Sequence, residues 1–586
     1  MEGSNLLTGR TIDLVTYTLL IDGEAVSREY GILSISVSRE INRIPWAKIV
    51  IRDGDVSKRE FMASNSELFV PGKEIEIKAG YHSNNETLFK GIIIRHGVKV
   101  GSDGNSTLEL ECKDKAVKMT ASRKSAHYAN MKDSDLIDEL IDGYDLTSEV
   151  DDTSFEHPEM VKYNCTDWDF MITRAEANGL LTIVDDGTIT VTAPDVEQEP
   201  QFVVTYGHSI IEFEAKMDAS TQLSNVTGKS WDHSNQEVAE EGGEAPEYEE
   251  QGNFSASNLA DVMHSEDEAL YHGGDLKSEQ LQSWANARLI RSRLAKIIGR
   301  IRIQGMQNIK PNQLITIEGI GERFNGNAFV SGVVHQIYQG RWTTDLQLGL
   351  SPEWFSGNKD IVDTQASGLV PSINGLHIAK VVQIGEDEQE GDHRVKVKIP
   401  FVNQAGATDA DGVWARMANV FAGNNRGMVF RPEIDDEVVI GFLNDDPRDP
   451  IVLGALHSSV NPAPQEASDD NHEKGIYTRG EMQFVFNDDD KTITISTKNG
   501  NSVLLSEKEG GITLTDENDN TIKLNSDGIT IESAKDLVLK ATGDVKMEGT
   551  NIEQSAQANL KASGSAVTEI SASGNTVIKG AVVQIN

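Results

Sequence analysis

Apolar and polar residues alternate with a period of two along most of this chain, the pattern of strands that bury one face. In the first 120 residues it recurs from Thr16 to Ile21, Ile32 to Ser38, Ala47 to Arg52, Glu74 to Ala79, Leu88 to Ile94 and Ser106 to Cys112. Loops such as Asp53-Gly54-Asp55 and Gly101 to Asn105 separate them, and that density of strands predicts a barrel. The period then becomes helical. Leu136, Ile137, Leu140 and Ile141 share a face, with Asp133 or Ser134 as N-cap and Gly143 as stop. A second helix opens at Thr166, with Asp169 three residues on as a variant capping box, and ends at Asn178-Gly179. Asp186-Gly187 predicts a hairpin turn. A further helix spans Ser278 to Gly299, with Leu281, Ala285 and Leu289 one turn apart, and strands resume from Arg300 to Leu350.

Three further stretches change the picture. From Ser224 to Gly274 it dissolves, and Glu240, Glu241, Glu244, Glu247, Glu249 and Glu250 crowd around Gly242 and Gly243, which predicts a mobile acidic loop. Residues 376 to 456 hold five strand patterns with Gly- and Asp-rich loops, which fit a small closed barrel of the OB type. A short polar linker with Pro462 and Pro464 follows. From Tyr477 to Asn586 there is no proline or cysteine, and after Gly528 an apolar-x-apolar unit repeats every eight residues: Ile529 and Ile531, Leu537 and Leu539, Val545 and Met547. A strip with one apolar face and two open edges is not stable alone. Eight residues are also too few for one coil of a single-chain solenoid, which takes roughly 20 or more. Three chains wound into a triangular prism resolve both problems, with those six residues as the core of a needle.

Composition narrows the function classes. With 586 residues the chain is long enough for three or four domains, and its net charge of −40 disfavours nucleic acid or an anionic membrane as a charge-held partner. The two cysteines, Cys112 and Cys165, imply no disulfide framework and are expected as buried free thiols. The N-terminus lacks the features of a signal peptide, and no apolar run reaches the roughly 18 residues of a membrane span. Folding in the cytoplasm is the expectation. The basic residues Arg288, Arg291, Arg293, Lys296 and Arg300 are expected as a solvated or ion-paired face.

Against this background particular stretches resemble a known family. Gly412-Val413-Trp414-Ala415-Arg416, Asp435-Asp436-Glu437-Val438-Val439-Ile440-Gly441-Phe442 and Asp446-Pro447-Arg448-Asp449-Pro450-Ile451-Val452-Leu453-Gly454 resemble the OB domain of VgrG, the spike of type VI secretion, and of related phage and extracellular contractile injection spikes. Tyr163 to Phe170, Gly321 to Gly326 and Val330 to His335 are similar to the phage baseplate-hub part of VgrG. The resemblance implies a mainly β protein. A hub-like domain would fill residues 1–370 with two barrel subdomains, near 11 to 120 and 200 to 350, and a few helices. An OB-fold domain at 371–460, a linker at 461–476 and a trimeric intertwined β-helix at 477–586 would follow. It implies a homotrimer that joins an inner tube protein and baseplate proteins to a membrane-puncturing needle. The trimer would carry a PAAR-like tip protein, with effectors as candidate cargo, and would meet the target membrane transiently as part of a particle delivered outside or into the target cell. The apolar end Val577, Ile578, Gly580, Val582, Val583, Ile585 and Asn586 is the expected seat of that tip protein, because it leaves strand edges for another chain to cover.

No catalytic, cofactor or metal residues are expected. Some phage spikes carry a lysozyme between barrel and prism, but Leu456 and Tyr477 bracket only about twenty residues, and a domain needs roughly 100. Asp516-Glu517-Asn518-Asp519-Asn520 lacks the central Gly and terminal Glu of a calcium loop and predicts a turn. The last histidine, His472, precedes the needle, so the tip has no histidine to ligate a metal. Two alternatives keep the fibrous tail: a trimeric adhesin or receptor-binding fibre, and a polysaccharide-degrading β-helix enzyme.

Overall fold

Ile35, Val37, Leu108 and Leu110 alternate with polar neighbours, and in the computed structural model they stand with Ile49 and Ile51 on the buried face of one sheet. The structure describes residues 14–102, 104–244, 246–263, 267–359, 361–386, 393–402 and 411–585. The N-terminal stretch read for a signal peptide and the predicted tip residue Asn586 lie outside these. The chain forms two units: residues up to Gly375 with Phe442–Asp449, and Leu376–Gly441 with the chain from Pro450 onward.

In the first unit the two strand-rich stretches are hydrogen-bonded into one sheet of 13 strands. The joint is the antiparallel pairing of Gly326–Tyr338 with Ile32–Glu40, in which Ile337 faces Ile35. Two cores flank the joint, one around Phe69 and Ile77, to which Ile337 and Trp342 of the second stretch contribute, and another around Val204, Ile301, Ile315 and Leu346. Cys112 is buried in the first, and burial pushes its thiol up to about 12; Cys165 is half-buried, and both are free thiols. Helices Asp133–Asp142 and Asp167–Ala177 form a third core with Ile189 and Val191. Thr166 caps the second helix as expected, accepting from the Asp169 N–H at 3.0 Å. At Asp186 and Gly187 φ is +52° and +92°, and the flanking strands pair as a hairpin.

The first helix corrects its predicted cap. Lys132 occupies that position, without a side-chain cap. Asp133 turns inward instead and accepts hydrogen bonds from Arg174 Nε (2.7 Å) and Nη2 (2.8 Å) and from Asn178 Nδ2 (2.8 Å), with His157 Nε2 at 3.0 Å. Burial pushes this carboxyl up, but Arg174, His157 and Asn178 together overcome it and hold it well below the usual range. A depressed carboxylate contributes stability that is fully present above the unfolded pKa near 3.9 and is lost as pH falls below it. The stability gap between the parent and Asp133→Asn should therefore be widest near neutral pH and narrow below about pH 4. Urea midpoints at both pH values check this; an unchanged gap would contradict it.

The stretch from 224 to 274 is not a mobile loop. It folds as a three-stranded sheet, Val226–Asp232, Glu237–Gly242 and Glu268–His272, with a short helix Ala256–Val262. The helix Ser278–Leu294 explains why. It lies so close that a Cβ on Gly228 would come within 2.8 Å of the Leu281 carbonyl oxygen, and one on Gly243 within 2.9 Å of Ala285. Two members of the acidic run find counter-charges, Glu240 with Lys229 at 2.7 Å inside the sheet and Glu250 with Lys296 just beyond the helix, and Arg288 of the helix holds Glu268 of the third strand at 2.7 Å. The helix stops at Leu294 rather than Gly299, because Ile297–Gln304 is already a sheet strand. Of the five basic residues, Arg288, Arg291, Lys296 and Arg300 are ion-paired, Arg291 and Lys296 of them buried, whereas Arg293 donates to the Ser224 carbonyl at 3.3 Å. Arg291 and Glu176 form a buried ion pair, which Asn42 Nδ2 (3.2 Å) and the Phe355 N–H (2.7 Å) complete by donating to Glu176.

In the second unit, His377–Gln383, Val395–Lys398, Val413–Met417, Glu437–Phe442 and Pro450–Ala455 close a five-stranded barrel. The third and fifth strands pair in parallel and the first pairs with the fourth, so the order is 1-2-3-5-4. Val381, Val395, Val397, Ala415, Val438 and Ile440 fill it and are fully buried. Strand structure resumes at Glu473, four residues before the predicted start of the needle.

Candidate assembly interface

From Glu473 to Glu532 seven five-residue strands run back and forth as one antiparallel meander. Polar turns set the spacing. At Asp516–Asn520 the Asp516 carboxylate accepts from the N–H groups of Asn518 (3.0 Å) and Asn520 (2.8 Å) and from Asn520 Nδ2 (2.8 Å). The Asn520 side-chain bond leads in holding it down to about 2, so this stretch is the turn that its sequence predicts.

The register builds the site. Residues directly opposite across a ladder share a face, as do positions two apart on a strand. Ile476, Phe484, Ile495, Val503, Leu514, Ile522 and Ile531 therefore form one continuous row. Phe486, Ile493, Leu505, Ile512, Leu524 and Ile529 form a second row beside it, on the same side. The opposite face carries Thr494, Thr513, Lys523 and Thr530 among its members. None of the row residues is buried, and Ile495 and Ile531 are half exposed. A single sheet with one apolar face and no layer over it lacks the second layer that domains require.

The predicted core residues fall on this face only in part. Ile529 and Ile531 occupy the last strand, one in each row. Leu537 joins Ile531, Ile522, Leu514, Val503 and Ile495 in lining an apolar trough. Leu539, Val545 and Met547 lie beyond it, exposed, in a stretch where residues 533–585 form no strand within one chain. The predicted tip residues Val577, Ile578, Gly580, Val582, Val583 and Ile585 are likewise exposed. The rows from Ile476 to Leu524 went unpredicted; their signal is the recurring apolar-x-apolar pair, Phe484-x-Phe486, Ile493-x-Ile495, Val503-x-Leu505, Ile512-x-Leu514 and Ile522-x-Leu524. Among the described residues no group of three or more His, Cys, Asp or Glu is placed to hold a metal ion, and no helix is long and apolar enough to cross a membrane.

Comparison with known proteins bears on all three regions. Residues 11–339 match the family model described as the Alg8 N-terminal domain. Residues 377–457 match the type VI secretion system/phage-baseplate injector OB domain, and 492–586 the phage baseplate V C-terminal trimerisation domain. The chain is 34% identical over 101 residues to the type VI secretion system spike protein VgrG3 of Vibrio cholerae, which covers 17% of this chain and 10% of that protein. It is 26% identical over 236 residues to the spike protein VgrG1a of Pseudomonas aeruginosa, covering 38% and 36%. The chain thus spans little more than a third of the length of these curated relatives at most. Among solved structures, the E. coli c3393 protein, described as a component of the type VI secretion system similar to T4 bacteriophage tail proteins gp27 and gp5, aligns with a TM-score of 0.38 at 12% identity, over 75% of this chain and 99% of that one.

Proposed function

We propose, from the premise that this chain belongs to the family whose signature is the Alg8 N-terminal domain, that three copies form the central spike of a contractile injection machine. The observation that carries this is the pair of apolar rows across seven strands, which no other part of the chain covers among the described residues. Three such faces turned toward one axis cover one another, and the match of 492–586 to a trimerisation domain supports that number. A purified chain with the mass of a single copy would remove the basis of this reading.

In such a trimer the hub-like region at 1–370 meets an inner tube protein and baseplate proteins. The OB-fold region at 371–460 and the linker at 461–476 connect it to the needle at 477–586. Assembly takes place in the cytoplasm. On firing, the particle drives the spike outward, and the needle meets the target membrane only in passing. The role is mechanical: the spike performs no bond chemistry, needs no cofactor and binds no nucleic acid. Strands stacked across a needle share a compressive load among many backbone hydrogen bonds, while buried apolar surface contributes about 25 cal/mol per Å².

The needle core extends past the meander through Leu537, Leu539, Val545 and Met547, which acquire strand partners only from the other two copies. The end of the needle, from Val577 through Asn586, receives a PAAR-like tip protein, and effectors ride with it. Deleting Gly580 to Asn586 should abolish retention of a tip protein in a pull-down while the trimer persists, because the meander lies upstream. Unchanged retention would place the tip protein elsewhere.

A further inference from the structure

Between the third and fourth strands of the five-stranded barrel, residues 418–431 leave the barrel as an arm in which every residue is exposed. The arm is built rather than slack. Ala422 pairs with Gly427 and Gly423 with Arg426. The Met428 N–H donates to the Phe421 carbonyl at 2.9 Å. Gly427 sits at φ +139°, where a Cβ would strike the Phe421 carbonyl oxygen at 2.5 Å, so only glycine fits. Yet Val420, Phe421, Met428, Val429, Phe430 and the nearby Ile434 are 43% to 95% exposed. The barrel core is built without them, from Ala379, Val381, Val395, Val397, Ala415, Val438, Ile440 and Val452, all buried. Six large apolar side chains left exposed on or beside one short, hydrogen-bonded arm mark an interaction site.

We infer that this arm is a second inter-copy contact, packing against the neighbouring copy of this same chain. Continuity with the needle face argues for that occupant. Glu433, at the base of the arm, pairs at 2.9 Å with Arg479, which lies in the turn between the first two meander strands. Arm and meander belong to one unit, so copies that join through the meander bring their arms together. Charge argues the same way. From Ala418 to Pro432 the sequence has Arg426 and Arg431 and no acidic residue, in a chain whose net charge is −40. Another copy offers such an arm a predominantly acidic surface.

The inference rests on the trimeric spike reading, and the test separates the two. A benzoylphenylalanine photo-cross-linker replaces Phe421 in one full-length chain, Phe430 in a second and, as a control, the exposed Tyr163 of the hub in a third. Light scattering is read before irradiation. The expected result is a trimer in which the arm probes convert the monomer band on a denaturing gel into covalent dimers and trimers, with arm peptides joined to a second copy, while the control does not. A trimer whose arm probes react only with their own chain, or not at all, overturns the contact and leaves the spike reading standing. A monomer overturns both.

Discussion

Replacing Ile531 with Asp should abolish the trimer while leaving the hub folded. Ile531 lies opposite Ile522 on the face that carries both apolar rows. Three copies would bring three carboxylates into one narrow core without partners, at a cost of several kcal/mol each. Leu539→Asp should act in the same direction, because its stretch continues the proposed core. Thr530→Asp is the matched control, because Thr530 lies on the opposite face between Ile529 and Ile531. Expected results are loss of trimer mass and rapid tryptic cleavage beyond Glu473 in the Ile531 variant, with both preserved in the control. If Ile531→Asp resists trypsin as well as the parent does, the apolar rows face water and the interface is misplaced.

The second large effect belongs to the first unit. Glu176→Ala should destabilise the first unit by about 3–5 kcal/mol. Its partner Arg291 sits in the interior, with side-chain exposures of 7% for Arg291 and 3% for Glu176. Removing the carboxylate leaves a buried guanidinium without its counter-charge and leaves the Phe355 N–H and Asn42 amide without their acceptor. Glu176→Gln, which keeps an acceptor but not the charge, should lie between. Chemical denaturation followed by the fluorescence of hub tryptophans such as Trp168 reads both; a loss below about 1 kcal/mol for the Ala variant would mean that the pair is solvated.

How far the sequence discloses this fold depends on how local the cause is. Thr166 and the Asp186-Gly187 turn were legible because a cap and a type of turn act within a few residues. The barrel strands were legible because short apolar-rich segments, such as those around Val381, Val397 and Ile440, stand between Gly- and Asp-rich loops. The segment from 224 to 274 was not, because its order comes from a helix beyond it: its acidic run reads as a mobile loop, and the packing of Gly228 and Gly243 against that helix and the Lys296–Glu250 pair involve residues far along the chain. Asp133 looked like a cap for a related reason, since Arg174 and Asn178, which draw it inward, lie 41 and 45 residues away. In the needle, the octads after Gly528 announced a repeat. The larger part of the apolar face lies before them, where turns of unequal length hide the period, and only the strand register aligns Phe484, Ile495 and Val503.

The central claim is that the apolar rows meet copies of themselves. Multi-angle light scattering on the freshly purified full-length chain tests it most directly. The account predicts a single species at three times the 64.1 kDa chain mass, unchanged on dilution through the range of the instrument. A folded species at one chain mass, with the meander from Glu473 to Glu532 protected from protease, would contradict it.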